Sequence, residues 1–176
     1  YERCSGEQIK KAHLYCADYQ LVLDLGGEAA MRAWPVGPDD FDELIESKTF
    51  TNGADKQAVK TLYRKMSIQQ LGAIAALNFS DSLSYGMQTP NVSDARALGR
   101  CLNLCVHLED LTLDQLDLDD ETFTAMLSAL THSALPNLSG LHLSFNMKIS
   151  DKSCFALAGL IDKGAFQRCS QIQIVK

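Results

Sequence analysis

The sequence predicts an α/β fold in which short parallel strands alternate with helices as a repeat, after a helical amino-terminal region. Three observations support this: leucines recur in one fixed spacing, the copies are about 30 residues apart, and the segments between them carry apolar residues at helical spacing. We place a helical amino-terminal cap at residues 1–70. The repeats occupy residues 71–176, with about four copies, of which the last is incomplete.

The clearest copy of the repeat is the segment LEDLTLDQLDL at residues 108–118. Its leucines match the pattern L-x-x-L-x-L-x-x-(N/C)-x-L. The segment LSGLHLSFN at 138–146 repeats the spacing and puts Asn146 in the asparagine position, and weaker copies are IAALNFS at 74–80 and CSQIQIV at 169–175. One position of the pattern recurs at nearly equal intervals through all four copies, at Leu77, Leu111, Leu141 and Ile172.

These motifs resemble the ribonuclease-inhibitor-like class of leucine-rich repeat (LRR), over residues 74–176. The resemblance implies a solenoid in which each strand is paired with a full α-helix. The sequence departs from the class at Met147 or Lys148, one of which is an extra residue, and the first copy lacks the asparagine. Such repeats serve many unrelated binding tasks, so the resemblance bears on the fold and says little about function.

Three segments that follow the strands are predicted to be helices with one buried face. Each begins with a capping residue and acidic residues and continues with apolar residues at i, i+3, i+4 and i+7. The expected buried faces are Leu98, Cys101, Leu102 and Cys105 in the first, Phe123, Met126, Leu127 and Leu130 in the second, and Cys154, Leu157, Ala158 and Ile161 in the third. We also expect Cys169 in the core.

The region before the repeats has a helical pattern from residue 5 to 34. Asp39 and Asp40 are predicted to cap a short helix with Phe41, Leu44 and Ile45, and the pair Asn52-Gly53 predicts a turn. A further helix should carry an apolar stripe of Val59, Leu62, Tyr63 and Met66 that covers the amino-terminal end of the repeat core. A separate helical domain is the alternative.

Composition excludes several classes of function. The net charge of −6 weighs against nucleic-acid binding, which needs a clustered basic face. No apolar run approaches the ~18 residues of a membrane span, although peripheral attachment to a membrane complex is left open. No cysteine-histidine pattern has metal-ligand spacing, and no motif for a phosphate or a cofactor is present, so we expect neither metal nor cofactor. Whether Cys4 and Cys16 form a disulfide is left open.

The termini and three N-x-S/T sequons bear on location. A chain that starts at Tyr1 and ends within a repeat strand is interpreted as a fragment or processed product, in preference to a strand covered by a partner. The sequons at Asn78, Asn91 and Asn137 are interpreted as coincidental. We expect an intracellular protein, soluble or peripheral, with an organelle as the alternative if a targeting peptide has been removed.

The alternation of side chains along each predicted strand indicates a candidate partner-binding surface. Residues that flank the core leucines should face outward on the concave side. They are Asn78, Ser80, Asp110, Thr112, Asp114, His142, Ser144, Gln171 and Gln173, and Tyr85 and Met87 add candidate loop contacts. The predicted function is therefore a non-enzymatic module that binds a protein of unknown identity. The alternative is a structural or assembly subunit of a larger complex, including an organellar membrane complex, and an enzyme using His142 and Asp114 is a third.

Overall fold

The computed structural model of the 176-residue chain describes residues 34–50, 52–80 and 89–175. Within them, four strands of three residues form one parallel sheet in the order β1-β2-β3-β4. The strands are β1 Ala76–Asn78, β2 Asp110–Thr112, β3 Gly140–His142 and β4 Gln171–Gln173. Five helices are described: α1 Pro38–Glu46, α2 Gly53–Gly72, α3 Val92–Leu102, α4 Asp120–Ser128 and α5 Asp151–Asp162. The fold is thus α/β, as the sequence predicts.

The register of the sheet follows the predicted repeat. Leu77 lies opposite Leu111, Leu111 opposite Leu141, and Leu141 opposite Ile172. Each parallel connection runs through one of the helices α3, α4 and α5. The interval between consecutive copies therefore corresponds to one strand, one helix and their loops.

The core forms where the leucine side of the sheet meets these helices. Leu111, Leu113, Leu141 and Leu143 are all buried, and one hydrophobic cluster runs from Trp34 to Phe166. All eight residues predicted to form the inner faces of the first two helices are buried. Burial of this apolar surface stabilises the fold, at ~25 cal/mol per Å² removed from water.

Backbone conformations repeat along with the leucines. Gln115 and Phe145 hold equivalent positions in consecutive units and have φ of 58° and 59°. Leu135 and Phe166 are a second equivalent pair, with φ of 51° and 56°. Residues other than glycine rarely adopt these left-handed conformations. Their recurrence shows that consecutive units share loop geometry as well as strand register.

Polar side chains cap four of the five described helices. Asn52, where the sequence predicts a turn, caps α2, Asn91 caps α3 and Ser150 caps α5. In α4, Asp119 forms a capping box with Thr122. In α1, Asp39 and Asp40 lie inside the first turn, after Gly37, which supplies no side-chain cap. The acids still favour the helix, because carboxylates suit the positive end of its dipole.

The predicted inner face of α5 is wrong in part. Leu157 is buried, but Cys154 and Ala158 are exposed and Ile161 is only half-buried, while Ser153 and Leu160 are buried instead. Cys169, also expected in the core, is half-buried. The helix α4 packs against both α3 and α5, whereas no described helix follows α5 to cover its outer side.

The amino-terminal end of the core is covered differently from the prediction. No residue of α2 is buried, and Leu62 and Met66 of the predicted stripe are exposed. Trp34 covers this end, with its ring stacked on Phe79 at a centroid distance of 5.4 Å, and the partly buried Leu71 near the end of α2 also packs against the core. The sequence placed Trp34 at the end of a helical pattern, and the rest of that pattern, together with Cys4 and Cys16, lies outside the described residues.

Ion pairs and a ring stack fasten α1 and α2 to the repeat. Arg64 of α2 bonds Asp39 and Asp42 of α1, and Tyr63 stacks on Phe41. Asp40 of α1 in turn bonds the guanidinium of Arg100 in α3. None of the five described helices is both long and apolar enough to cross a membrane.

Replacing Gly99 with alanine is expected to lower the free energy of unfolding by about 1–3 kcal/mol, because α3 and α4 approach closely there. A Cβ at this position would lie 2.4 Å from the Met126 carbonyl oxygen and 2.9 Å from the Ala129 Cβ. Urea unfolding measures the change. Gly159→Ala in α5 is the matched control: its Cβ would meet nothing within 4 Å, so it should stabilise the protein by about 0.5–1 kcal/mol. Equal effects at the two glycines would contradict the described packing.

Candidate protein-binding surface

The side of the sheet opposite the leucines carries a polar row. Asn78, Gln171 and Gln173 are exposed, and Asp110, Thr112, Asp114 and His142 are partly exposed. Asn78 is fixed by the turn that follows β1, where its side-chain oxygen accepts the Ser80 amide at 2.8 Å. These seven residues give this side of the sheet a polar surface with few apolar groups.

At the centre of this row, three side chains from neighbouring strands form a line. His142 Nδ1 lies 3.1 Å from Gln173 Oε1, and His142 Nε2 lies 3.6 Å from Asp110 Oδ1. Gly140 makes room for the line, since a Cβ there would lie 3.1 Å from His142 Nε2. The line presents one imidazole edge, one carboxylate and one amide, which suits hydrogen bonding to a partner's polar groups.

Ser144 does not belong to the exposed surface. It is 3% exposed, and its Oγ is buried without a hydrogen-bond partner among the described residues. Its backbone is fixed on both sides, because its amide donates to Asp114 Oδ1 at 2.6 Å and its carbonyl accepts the Gln115 amide at 3.0 Å. Ser144 lies in the loop after the end of β3, so the alternation of inward and outward side chains within a strand does not apply to it.

That loop exposes two large apolar side chains that the sequence analysis did not select. Phe145 is 53% exposed and Met147 is 62% exposed. The Phe145 amide donates to the Val175 carbonyl at 2.7 Å, so the backbone carrying the ring is held in place. Together with Gln115 and Asp117, Phe145 lines an open depression of about 420 Å³. The sequence contained one signal for this loop. Phe145 and Met147 are apolar, whereas the equivalent residues one unit earlier, Gln115 and Asp117, are polar.

Asn146, between these two side chains, fixes the loop from inside. Its Nδ2 donates to the carbonyls of Leu113 and Leu143 at 2.8 and 3.0 Å, and its Oδ1 accepts the amides of Leu116 and Leu118 at 3.1 and 3.0 Å. The side chain is 2% exposed and joins two consecutive units. The Asn146 side chain points into the core, and the side chains of its neighbours Phe145 and Met147 are exposed to solvent.

The described residues contain no group of three or more His, Cys, Asp or Glu side chains able to hold a metal ion. Burial raises the pKa of the Cys101 and Cys105 thiols to about 12, so neither forms a thiolate nucleophile near neutral pH. Asp114, the suggested partner of His142, accepts the Ser144 amide, and it is Asp110 that faces the imidazole.

The predicted loop contacts Tyr85 and Met87 lie outside the described residues. Comparisons of the chain with protein-family models, with curated proteins and with solved structures gave no match.

Proposed function

We propose that the chain is a leucine-rich-repeat solenoid of the ribonuclease-inhibitor-like kind that acts as a non-enzymatic protein-binding module. The parallel sheet, the nearly equal intervals between its strands and the recurring left-handed positions support the repeat. The contact surface combines the polar row of the sheet with the loop of Phe145 and Met147. Its partner is a protein that presents polar groups to the row and an apolar pocket to the loop.

The observation that carries the binding proposal is the exposed aromatic ring on a fixed backbone. Few residues dominate the affinity of most interfaces, and these are commonly aromatic side chains that fill a pocket. Phe145 loses little conformational freedom on binding, because the hydrogen bond to Val175 and the neighbouring Asn146 already order its backbone. Gln115 and Asp117 line the same depression as Phe145 and supply a polar rim.

A second candidate function, a subunit of a larger assembly, is favoured by a different observation. Apolar side chains are exposed on the last described helix and strand, including Phe155 of α5 and Ile172 of β4. Exposed apolar groups of this size often mark protein contacts.

Phe145→Ala is expected to reduce partner binding at least tenfold, because truncating a central aromatic contact commonly costs about 2 kcal/mol or more and ~1.4 kcal/mol is a factor of ten. The measurement is quantitative capture from the native source with wild-type and variant chains, followed by titration of the purified partner. Leu44→Ala is the matched control, since Leu44 is also 53% exposed but lies on α1.

Two results would overturn the proposal. One is equal retention of every captured protein by the wild type, Phe145→Ala and Leu44→Ala. The other is a robust catalytic activity of the purified chain that is lost on replacing His142 or Asp110, which would favour the enzyme hypothesis.

A further inference from the structure

Asp110 and His142 direct two hydrogen-bond acceptors at each other on the polar side of the sheet. His142 Nδ1 lies 3.1 Å from Gln173 Oε1, an oxygen that can only accept, so the ring proton is on Nδ1. In the neutral ring the other nitrogen, Nε2, is then an acceptor. It lies 3.6 Å from Asp110 Oδ1, which is longer than a hydrogen bond, and no described residue donates to it. We call Asp110 Oδ1 and His142 Nε2 the acceptor pair.

The acceptor pair can be reached from solvent. The side chain of Asp110 is 50% exposed and that of His142 is 24% exposed. Beside Asp110 in register lies Ala76, which is exposed and whose side chain ends at Cβ, so it does not cover the carboxylate. A donor group of another protein can therefore approach both acceptors at once.

Gly140 allows the two acceptors to come this close. It pairs with Asp110 in the sheet and precedes His142 by two residues, and the three other strands carry a side chain at this position. A Cβ at Gly140 would lie 3.1 Å from His142 Nε2 and 3.3 Å from Asp110 Oδ2, so both groups lean over the glycine backbone. Gly140 is therefore a positioning residue for the acceptor pair.

The charge around the pair is complementary to a cation. Asp110 forms no ion pair with a lysine or an arginine of the described ranges, and Asp114 adds a second carboxylate to the same row. Lys148, on the loop after β3, already bonds Asp117 at 2.7 Å. Two facing acceptors, one of them charged, are best satisfied by a cation that carries at least two N–H donors.

A guanidinium group meets this requirement better than an ammonium group. It is planar and always charged, and its five N–H donors point in fixed directions, so two of them can reach two separate acceptors. An ammonium group is a compact and more strongly hydrated charge. A metal ion is a poorer fit, because one carboxylate and one imidazole supply only two of the four ligands of a usual structural site.

We infer that the acceptor pair is an arginine-binding subsite of the proposed protein-binding surface. One guanidinium N–H of the partner donates to the Asp110 carboxylate and another to His142 Nε2, while Gln173 holds the imidazole in the required tautomer. The inference rests on the proposed function and names the chemistry of the segment that contacts the polar row. The subsite shares no atom with Phe145, so the two contacts can be tested separately.

The tautomer of His142 is the first test. Nitrogen NMR of the 176-residue chain should find the proton of the neutral ring on Nδ1, and the Nε2 resonance should shift when an arginine side chain binds. A proton on Nε2 would overturn the inference, because Nε2 would then be a donor directed at Asp110 and would no longer accept from a partner.

The second test titrates the isotope-labelled chain with Nα-acetyl-arginine amide, at constant ionic strength and with EDTA to remove metal ions. We expect saturable shifts at the His142 ring and the Gly140 amide. Nα-acetyl-citrulline amide, which has a similar shape without the charge, should not bind, and Nα-acetyl-lysine amide should bind more weakly. The inference fails if arginine produces no saturable shift, or if lysine or citrulline binds as well as arginine.

Three variants locate the contact. Asp110→Asn keeps the size of the side chain and should weaken arginine binding at least about tenfold, because a hydrogen bond to a charged group is lost. Gly140→Ala should also weaken it, by pushing the two acceptors apart. Asp114→Asn is the matched control, since Asp114 Oδ1 accepts the Ser144 amide at 2.6 Å, and it should leave binding unchanged. Equal weakening by the two Asp→Asn variants would show a nonspecific charge effect and contradict the subsite. If Gly140→Ala fails to fold, those two variants decide.

The purified partner separates failure of the subsite from failure of the proposed function. Asp110→Asn should weaken partner binding about tenfold, as it does for the arginine probe. If Phe145→Ala weakens partner binding and Asp110→Asn does not, the subsite is wrong and the proposed function stands. If the chain binds the arginine probe but Phe145→Ala leaves capture unchanged, the subsite stands and the proposed contact at Phe145 fails.

Discussion

Replacing Asn146 with alanine is expected to lower the free energy of unfolding by about 3–5 kcal/mol. The substitution removes one buried amide and leaves two backbone amides and two backbone carbonyls without their partner: those of Leu116, Leu118, Leu113 and Leu143. Each buried group left unpaired costs ~1–3 kcal/mol, and water entering the space recovers part of the total. Urea unfolding followed by the fluorescence of Trp34, the only tryptophan of the chain, measures the change.

Asn137→Ala provides the control for Asn146→Ala. Asn137 also donates to a backbone carbonyl one unit away, that of Val106 at 2.8 Å, but this bond is exposed. Water can replace the lost partner there, so we expect a cost below about 1 kcal/mol. If the two asparagine variants unfolded at the same urea concentration, the buried bridge would not hold the units together as described.

Asn146→Ala should also weaken partner binding, because Phe145 would lose its fixed backbone.

Leu141→Ala is expected to cost about 2–5 kcal/mol, since it creates a cavity in the middle of the sheet's inner face. Leu141 is 2% exposed and lies between Leu111 and Ile172 in register. The same truncation at Ile172 should cost less than about 1.5 kcal/mol, because that side chain is already partly in water. Thr112→Ala, on the polar row, should change stability by less than about 1 kcal/mol.

Leu141→Ala and Ile172→Ala truncate the same position of the repeat, once where the side chain is buried and once where it is exposed. The same urea experiment applies to all three variants, with circular dichroism to confirm that each folds. A cost at Ile172 as large as that at Leu141 would contradict the exposure of Ile172 in the described structure, while leaving the proposed contact at Phe145 intact.

Much of the polar row could be predicted from strand alternation, but the loop could not. Asn78, Asp110, His142 and Gln173 follow the rule that residues flanking a core leucine point outward. The rule fails at Ser144, because the chain leaves the strand there and its carbonyl is bonded by the Gln115 amide of the preceding unit. Predicting Phe145 as exposed required knowing its φ of 59°.

The sequence alone determined the pairing of the strands and their register, because the spacing of the leucines forces equivalent positions into one row. It also determined the inner faces of α3 and α4, whose apolar residues have no other place to be buried. Only the tertiary structure decided that Trp34 covers one end of the core and that Cys154, Ala158 and Ile172 are exposed at the other. The physical reason is that burial depends on the neighbour that covers a side chain, and the pattern within one unit does not specify that neighbour.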